Sequence, residues 1–229
     1  MCGVVIDWGA LPSLLVAATG FSWSDAASLA TAAGTLVLAV ATFAAVRSSN
    51  RSARIAEVAL QEQRRPVLVQ SRLEDPLQKI NFIDGHWVRV SGGGAVAEHV
   101  DGIVYLAMSL RNVGAGIGVL QGWSVRAGFL TSQTEHTGEG QFRRQARDLY
   151  IPPGDIGLWQ GALRDPSEDA HPAVADAAER HEPISIELLY TDQVGGQRTI
   201  SRFSLVPVGD DAWLTTTGLH WYLDRDGPR

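Results

Sequence analysis

Three groups of residues in this sequence have types and spacing that could do chemistry. The first is "LRNVGAGIGVLQGW", Leu110 to Trp123, where Gly114, Gly116 and Gly118 alternate and could cradle a phosphate. A dinucleotide fingerprint needs Gly-x-Gly-x-x-Gly between a strand and a helix, so that the pyrophosphate rests on the helix N-terminus. Here position 119 is Val, and "GVLQGWSVRAG" goes on alternating like a strand. The Lys-Ser/Thr of a P-loop is missing as well. The stretch is therefore expected to be a tight turn or bulge, with Asn112 and the glycines supplying positive φ angles.

The second group is "FRRQARDLY", which gathers Arg143, Arg144 and Arg147. These could meet anionic lipid or an acidic partner, or form a solvated loop beside Glu139 and Asp148. The third is the C-terminal "AWLTTTGLHWYLDRDGPR", with Trp213, Trp221 and Tyr222. Three readings stand for it: an eighth strand covering a core, a membrane-interface contact, or a partner-binding patch.

Other chemistry finds no pattern. The six histidines are scattered, HExxH is absent, and His171 and His181 stand ten positions apart. His99 and Asp101 form an H-x-D that lacks a third ligand. Gly-x-Ser-x-Gly is absent, and Glu168, Asp169 and Glu182 read as solvated loop charges. Cys2 is the only cysteine, which leaves no internal disulfide and no thiolate cage, and no lipobox or myristoylation pattern surrounds it. No catalytic residue, cofactor or metal ligand is assigned. With 19 Lys+Arg against 25 Asp+Glu, the formal charge is −6, which argues against nucleic acid as a partner.

The elements that must position these residues fall into two kinds. From Ala26 to Val46, "AASLATAAGTLVLAVATFAAV" runs without a charge. At about 1.5 Å per residue it spans about 31 Å, the thickness of a bilayer's hydrocarbon core, and residues 26–46 are expected to form a transmembrane helix. A buried core helix is the alternative. Within the N-terminal segment 1–25, "WGALPSLLVAATGFSW" is also uncharged but carries Gly9, Pro12 and Gly20; it reads as a second poor span, an interfacial segment or a wrongly assigned start. Ala30 with Gly34 and Ala41 with Ala45 have small-xxx-small spacing, which would let the helix pair with a copy of itself in a homodimer. Arg47, Arg51 and Arg54 follow the span, whereas no Lys or Arg precedes it. The positive-inside rule then places everything after the span in the cytoplasm of a single-pass cell-membrane protein.

Residues 47–65 lack Gly and Pro and are expected to continue the helix until Pro66. Ile55, Val58 and Ala59 with Glu62 make a thin apolar stripe, suited to lying on the domain, pairing with a copy, or acting as a solvated spacer. Beyond Pro66 the period changes to two. "PVLVQSRL", "HWVRVS", "GIVYLAMSLRNV", "GVLQGWSVRAG", "DIGLWQGAL", "PISIELLYTD" and "RTISRFSLVP" are seven candidate strands, and "SEDAHPAVADAAERHE" is a helical crossover. The fold class expected for residues 66–223 is mainly β, an antiparallel immunoglobulin-like β-sandwich with a barrel as the alternative, followed by a polar tail over 224–229.

A span, a basic helix ending in Arg-Arg-Pro-Val-Leu, the strand end "LRNVGAGIG", the "PPGD" turn at 152–155 and "YTDQVGGQ" at 190–197 resemble a loose group of uncharacterised bacterial proteins. These have one N-terminal transmembrane helix and a β-sandwich domain. The resemblance covers most of residues 26–206 and implies architecture without an activity. The expected function is a membrane-anchored protein-binding module or accessory subunit of a membrane assembly. A hydrolase using the sandwich loops, or a small-molecule or lipid-binding module, is the alternative. A deep pocket with polar side chains from several loops would favour an enzyme; a flat aromatic patch would favour a protein partner.

Overall fold

The computed structural model describes residues 23–209 and 211–224. Cys2, most of the N-terminal segment 1–25 and residues 225–229 of the polar tail lie outside the described residues. Contacts divide the chain after Glu57 into two units, of which the second begins at Val58.

Helix α1 runs unbroken from Trp23 to Gln63 because nothing between them breaks it and Pro66 forces the stop. It is long and apolar enough to cross a membrane. None of its residues is buried, which sets it apart from the core helix of a globular domain. The stripe at Ile55 and Val58 is likewise exposed.

Eleven strands follow among the described residues. They are β1 (Leu68–Gln70), β2 (Gln78–Asn81), β3 (Trp87–Val90), β4 (Gly94–Val100), β5 (Ile103–Asn112), β6 (Gly118–Ala127), β7 (Arg143–Ile151), β8 (Ile156–Leu163), β9 (Ile184–Thr191), β10 (Arg198–Val208) and β11 (Ala212–Tyr222). Helix α2 (His171–Glu179) forms the crossover between β8 and β9, with Pro172 in its first turn. Each of the seven alternating runs contains a strand, and the C-terminal aromatic segment contributes β11. β2, β4 and β7 carry too many polar or small residues to show the same alternation.

All pairing is antiparallel. β2 and β3 form a separate hairpin, and the other nine strands share one hydrogen-bonded path, β1-β5-β4-β11-β10-β9-β6-β7, with β8 on the other edge of β5. The path narrows at β4–β11 to two residue pairs, Trp213 with Ala95 and Leu214 with Gly94. The main core draws Leu106, Met108 and Trp159 from one side of this neck and Trp123, Ile186, Tyr190 and Phe203 from the other, with Val174 of α2 closing it. β5 is buried on both faces: its second face, Tyr105 and Ala107, is covered by Ile80, Phe82, Val88 and Val90 of the hairpin.

β7 and β8 are consecutive in sequence yet belong to different ladders, β7 with β6 and β8 with β5. The tight turn at 152–155, with Gly154 at φ +73°, joins them without a ladder between them. The β6–β7 register jumps from Leu120/Leu149 to Gly122/Arg144, so residues 145–148 of β7 bulge out opposite Gln121.

The alternating glycines are structural, but not through their φ angles. Neither Asn112 nor Gly114, Gly116 or Gly118 has positive φ, which corrects that expectation. Glycine is required because the chain leaving α1 lies directly on the loop. A Cβ on Gly116 would collide with the Arg64 carbonyl, and one on Gly114 would sit 2.5 Å from the Val67 nitrogen. Asn112, fully buried, ties the same crossing together. Its Nδ2 donates to the carbonyls of Gly116 (2.6 Å) and Ile151 (2.9 Å), and its Oδ1 accepts from the amides of Gly114 (3.0 Å) and Val67 (3.2 Å).

Candidate functional site

Where β7 and β8 part, a cleft of about 340 Å³ opens between them. Arg143, Arg144 and Arg147 line it from β7, Arg164 from the end of β8, and Trp123 of β6 with Phe82 and Ile83 of the hairpin complete it. The expectation of a solvated loop is thus replaced by a strand. An edge strand can carry this many charges because only one of its edges is laddered.

The four arginines are held differently. The guanidinium of Arg143 lies 5.0 Å from the centroid of the Trp123 ring and pairs with Glu168, its Nη2 donating to Oε1 at 2.8 Å. Burial lowers its pKa. Glu168 is therefore a specific ion-pair partner and not a solvated loop charge. Arg164 donates to Asp84 Oδ2 at 3.0 Å. Burial pushes the Asp84 carboxyl up, but bonds from the Tyr105 hydroxyl, the His86 amide and Arg164 outweigh it and hold it below the usual carboxylate range. Arg147, on the bulge, reaches the Asn81 carbonyl at 3.4 Å. No carboxylate among the described side chains pairs with Arg144 or Arg147, and both are exposed. Gln145 reaches across the opening to β8: its Nε2 donates to the Gln160 carbonyl at 3.2 Å, and its Oε1 is buried without a partner. The cleft thus presents two exposed guanidinium groups, Arg144 and Arg147, that have no carboxylate partner among the described side chains, beside an apolar floor. Arg164, Gln145 and Trp123 were not legible as site residues, since only the parting of two consecutive strands brings them to Arg143–Arg147.

The C-terminal aromatics lie elsewhere and are largely spent on packing. Trp213 is 6% exposed and stacks on His181 with centroids 5.5 Å apart. Trp221 packs on Arg202, whose guanidinium carbon is 4.8 Å from its ring centroid, and Tyr222 receives Arg65 at 4.5 Å. They are residues of a covering strand, as in the first of the three readings.

A second cleft, about 570 Å³, is lined by Arg89, Glu98, His99, Glu179, His181 and Asp211 among others. His99 Nδ1 lies 2.6 Å from Glu179 Oε1, while its Nε2 is buried without a partner. Thus Glu179, and not Asp101, is the acid beside His99; Asp101 sits in the β4–β5 turn at φ +51°. His171 and His181 bracket α2, and His171 Nε2 meets the Gly102 carbonyl at 2.9 Å. Among the described residues no three His, Cys, Asp or Glu side chains are grouped as a metal site would need.

The chain matches no protein-family model, no curated protein and no solved structure.

Proposed function

We propose that this protein is a membrane-anchored binding module whose β domain takes an acidic partner, a protein in a membrane assembly, at the arginine cleft. The observation that carries the reading is the convergence of Arg143, Arg144, Arg147 and Arg164 on one opening in a chain of net charge −6. A local cluster against the sign of the whole selects its partner by charge. In this reading α1 is the single span through residues 26–46, the β domain faces the cytoplasm, and Ala30/Gly34 and Ala41/Ala45 let two anchors pair. The two strand sets joined at the β4–β11 neck are read as the layers of an immunoglobulin-like sandwich.

The test uses the full chain in detergent and a labelled ten-residue peptide alternating Thr and Glu. Reversing the two arginines that lack a carboxylate partner among the described side chains, R144E with R147E, should weaken binding by about tenfold or more at low salt, since each exposed ion pair is worth about 0.2–1 kcal/mol and each reversal adds a repulsion of similar size. Equal binding by the variant defeats the reading.

One observation favours a second reading, a hydrolase. A carboxylate that orients a histidine through Nδ1 and leaves Nε2 unpaired is the arrangement of a general base, and polar side chains from several elements share that cleft. Hydrolysis of small activated esters by the full chain, lost in H99Q, would support it; equal rates for both proteins would discard it.

A further inference from the structure

We propose that the partner's acidic segment enters the opening between β7 and β8 in extended form and adds as a strand to the outer edge of β8. This rests on the arginine cleft being the partner site and specifies how the partner is held.

The backbone of β8 supplies the template. β8 ladders only with β5, and its register is regular from Ile156 through Leu163. The Gln160 carbonyl accepts from the Gln145 side chain, so it points away from β5 and into the opening. In an antiparallel strand the N–H and C=O of one residue share a side, and the side alternates. The backbone groups of Leu158, Gln160 and Ala162 therefore face the opening, whereas those of Gly157, Trp159 and Gly161 are committed to β5. Such a row of unladdered groups is what an incoming strand recognises. β7 cannot serve equally, because its 145–148 bulge breaks the spacing.

Charge chooses the occupant. Side chains on one face of an added strand recur about every 6.6 Å, and carboxylates at alternate positions would run along the rim held by Arg144, Arg147 and Arg164. The incoming strand would take the place of the Gln145 amide on the Gln160 carbonyl. Beyond the rim the hairpin presents Ile83, 86% exposed, and Trp87, 62% exposed, which suits an acidic segment flanked by apolar residues. Another unladdered edge, β4 beyond Ala95, borders a cleft where Glu98, Glu179 and Asp211 outnumber Arg89, which suits the same acidic segment less well.

The same Thr–Glu peptide tests this with the full chain in detergent, beside two versions N-methylated at every second residue in the two alternative registers. One methylated register should bind about tenfold more weakly than the parent and the other should not. Amide hydrogen exchange at Leu158, Gln160 and Ala162 should slow about tenfold on adding the parent peptide, with Trp159 unchanged. If both methylated peptides bind like the parent, or exchange at those three amides is unaltered, the segment is held by charge alone and the added strand is wrong, while the cleft reading survives. If the parent peptide fails to bind, both are overturned.

Discussion

At Asn112 four hydrogen bonds converge on one fully buried side chain, and no smaller residue can replace them. N112A would strand two amides and two carbonyls in the interior. A loss of about 3 kcal/mol in denaturant unfolding is expected, since each unsatisfied buried group costs about 1–3 kcal/mol and some will find water. G116A should cost about 1–3 kcal/mol by forcing the Arg64 carbonyl away, and N112A combined with G116A should be less than additive because both act on the same crossing. That glycines were needed here was legible in the sequence; the reason was not, because a close approach by residues 64–67 has no local signature. His220 gives a pH-dependent counterpart. Tyr190 accepts from the Leu68 amide and lies 2.8 Å from Ser201 Oγ, which lies 2.6 Å from His220 Nδ1. Burial pushes the Tyr190 hydroxyl up to about 12, so it is a donor at neutral pH. The relay then runs Tyr190 to Ser201 to His220 and ends on a neutral ring nitrogen. Burial also lowers the His220 pKa. The folded state thus binds fewer protons than the unfolded one, and stability should fall as pH drops below about 6.5 towards the lowered value. H220Q should flatten that part of the pH profile; an unchanged slope would show that His220 is not the group responsible.

Among the elements, the end of α1 is fixed to the β domain by chemistry that the sequence hides in distance. Arg65 is separated from Asp224 by 159 positions, yet its Nη1 and Nη2 donate to the two carboxylate oxygens at 2.9 and 2.6 Å, and Glu62 and the Tyr222 ring hold it from other sides. Gln197 Nε2 donates to the Gln61 carbonyl at 2.6 Å, and the Ala115 amide to the Arg65 carbonyl at 3.2 Å. The periodicity up to Pro66 was enough to read a continuous helix, but it carries no sign that Gln61 and Arg65 are bonded to Gln197 and Asp224. R65M should cost about 2–4 kcal/mol, because it leaves Asp224 half-desolvated without its cation. It should also expose the 60–66 segment to limited proteolysis, and the wild-type protein should be the more resistant there. The strands divide in a similar way. β5 and β9 were legible as runs of apolar residues, while β7 was not, since Arg143, Arg144 and Arg147 obey the needs of an open edge and not those of a core. The same absence of a ladder that hid β7 from pattern reading is what opens the cleft.

At the scale of the whole molecule, the distribution of charge decides how the chain would sit in a membrane. The apolar run of α1 is followed by Arg47, Arg51 and Arg54 at spacings of four and three, which places them on one face of the helix about one turn apart. The sequence before it carries Asp7 and Asp25 and no cation. Cations within about 15–20 residues of a span resist translocation, whereas acidic residues have little influence, so the net charge of −6 does not weaken the asymmetry. If residues 8–24 also crossed, the N-terminus would change sides but the β domain would not. A cytoplasmic β domain is also where an acidic protein partner could reach the arginine cleft without crossing the bilayer. Two measurements separate the anchor from its orientation. The chain should stay with membranes through carbonate washing and leave only with detergent; release by carbonate would discard the span. A fluorescent reporter that matures only in the cytoplasm, fused after Arg229, should be bright. Replacing Arg47, Arg51 and Arg54 by Gln should dim it partially, because Arg64 and Arg65 still lie on the same side. A dark wild-type fusion with intact membrane retention would reverse the orientation and move the search for the partner to the opposite face of the membrane.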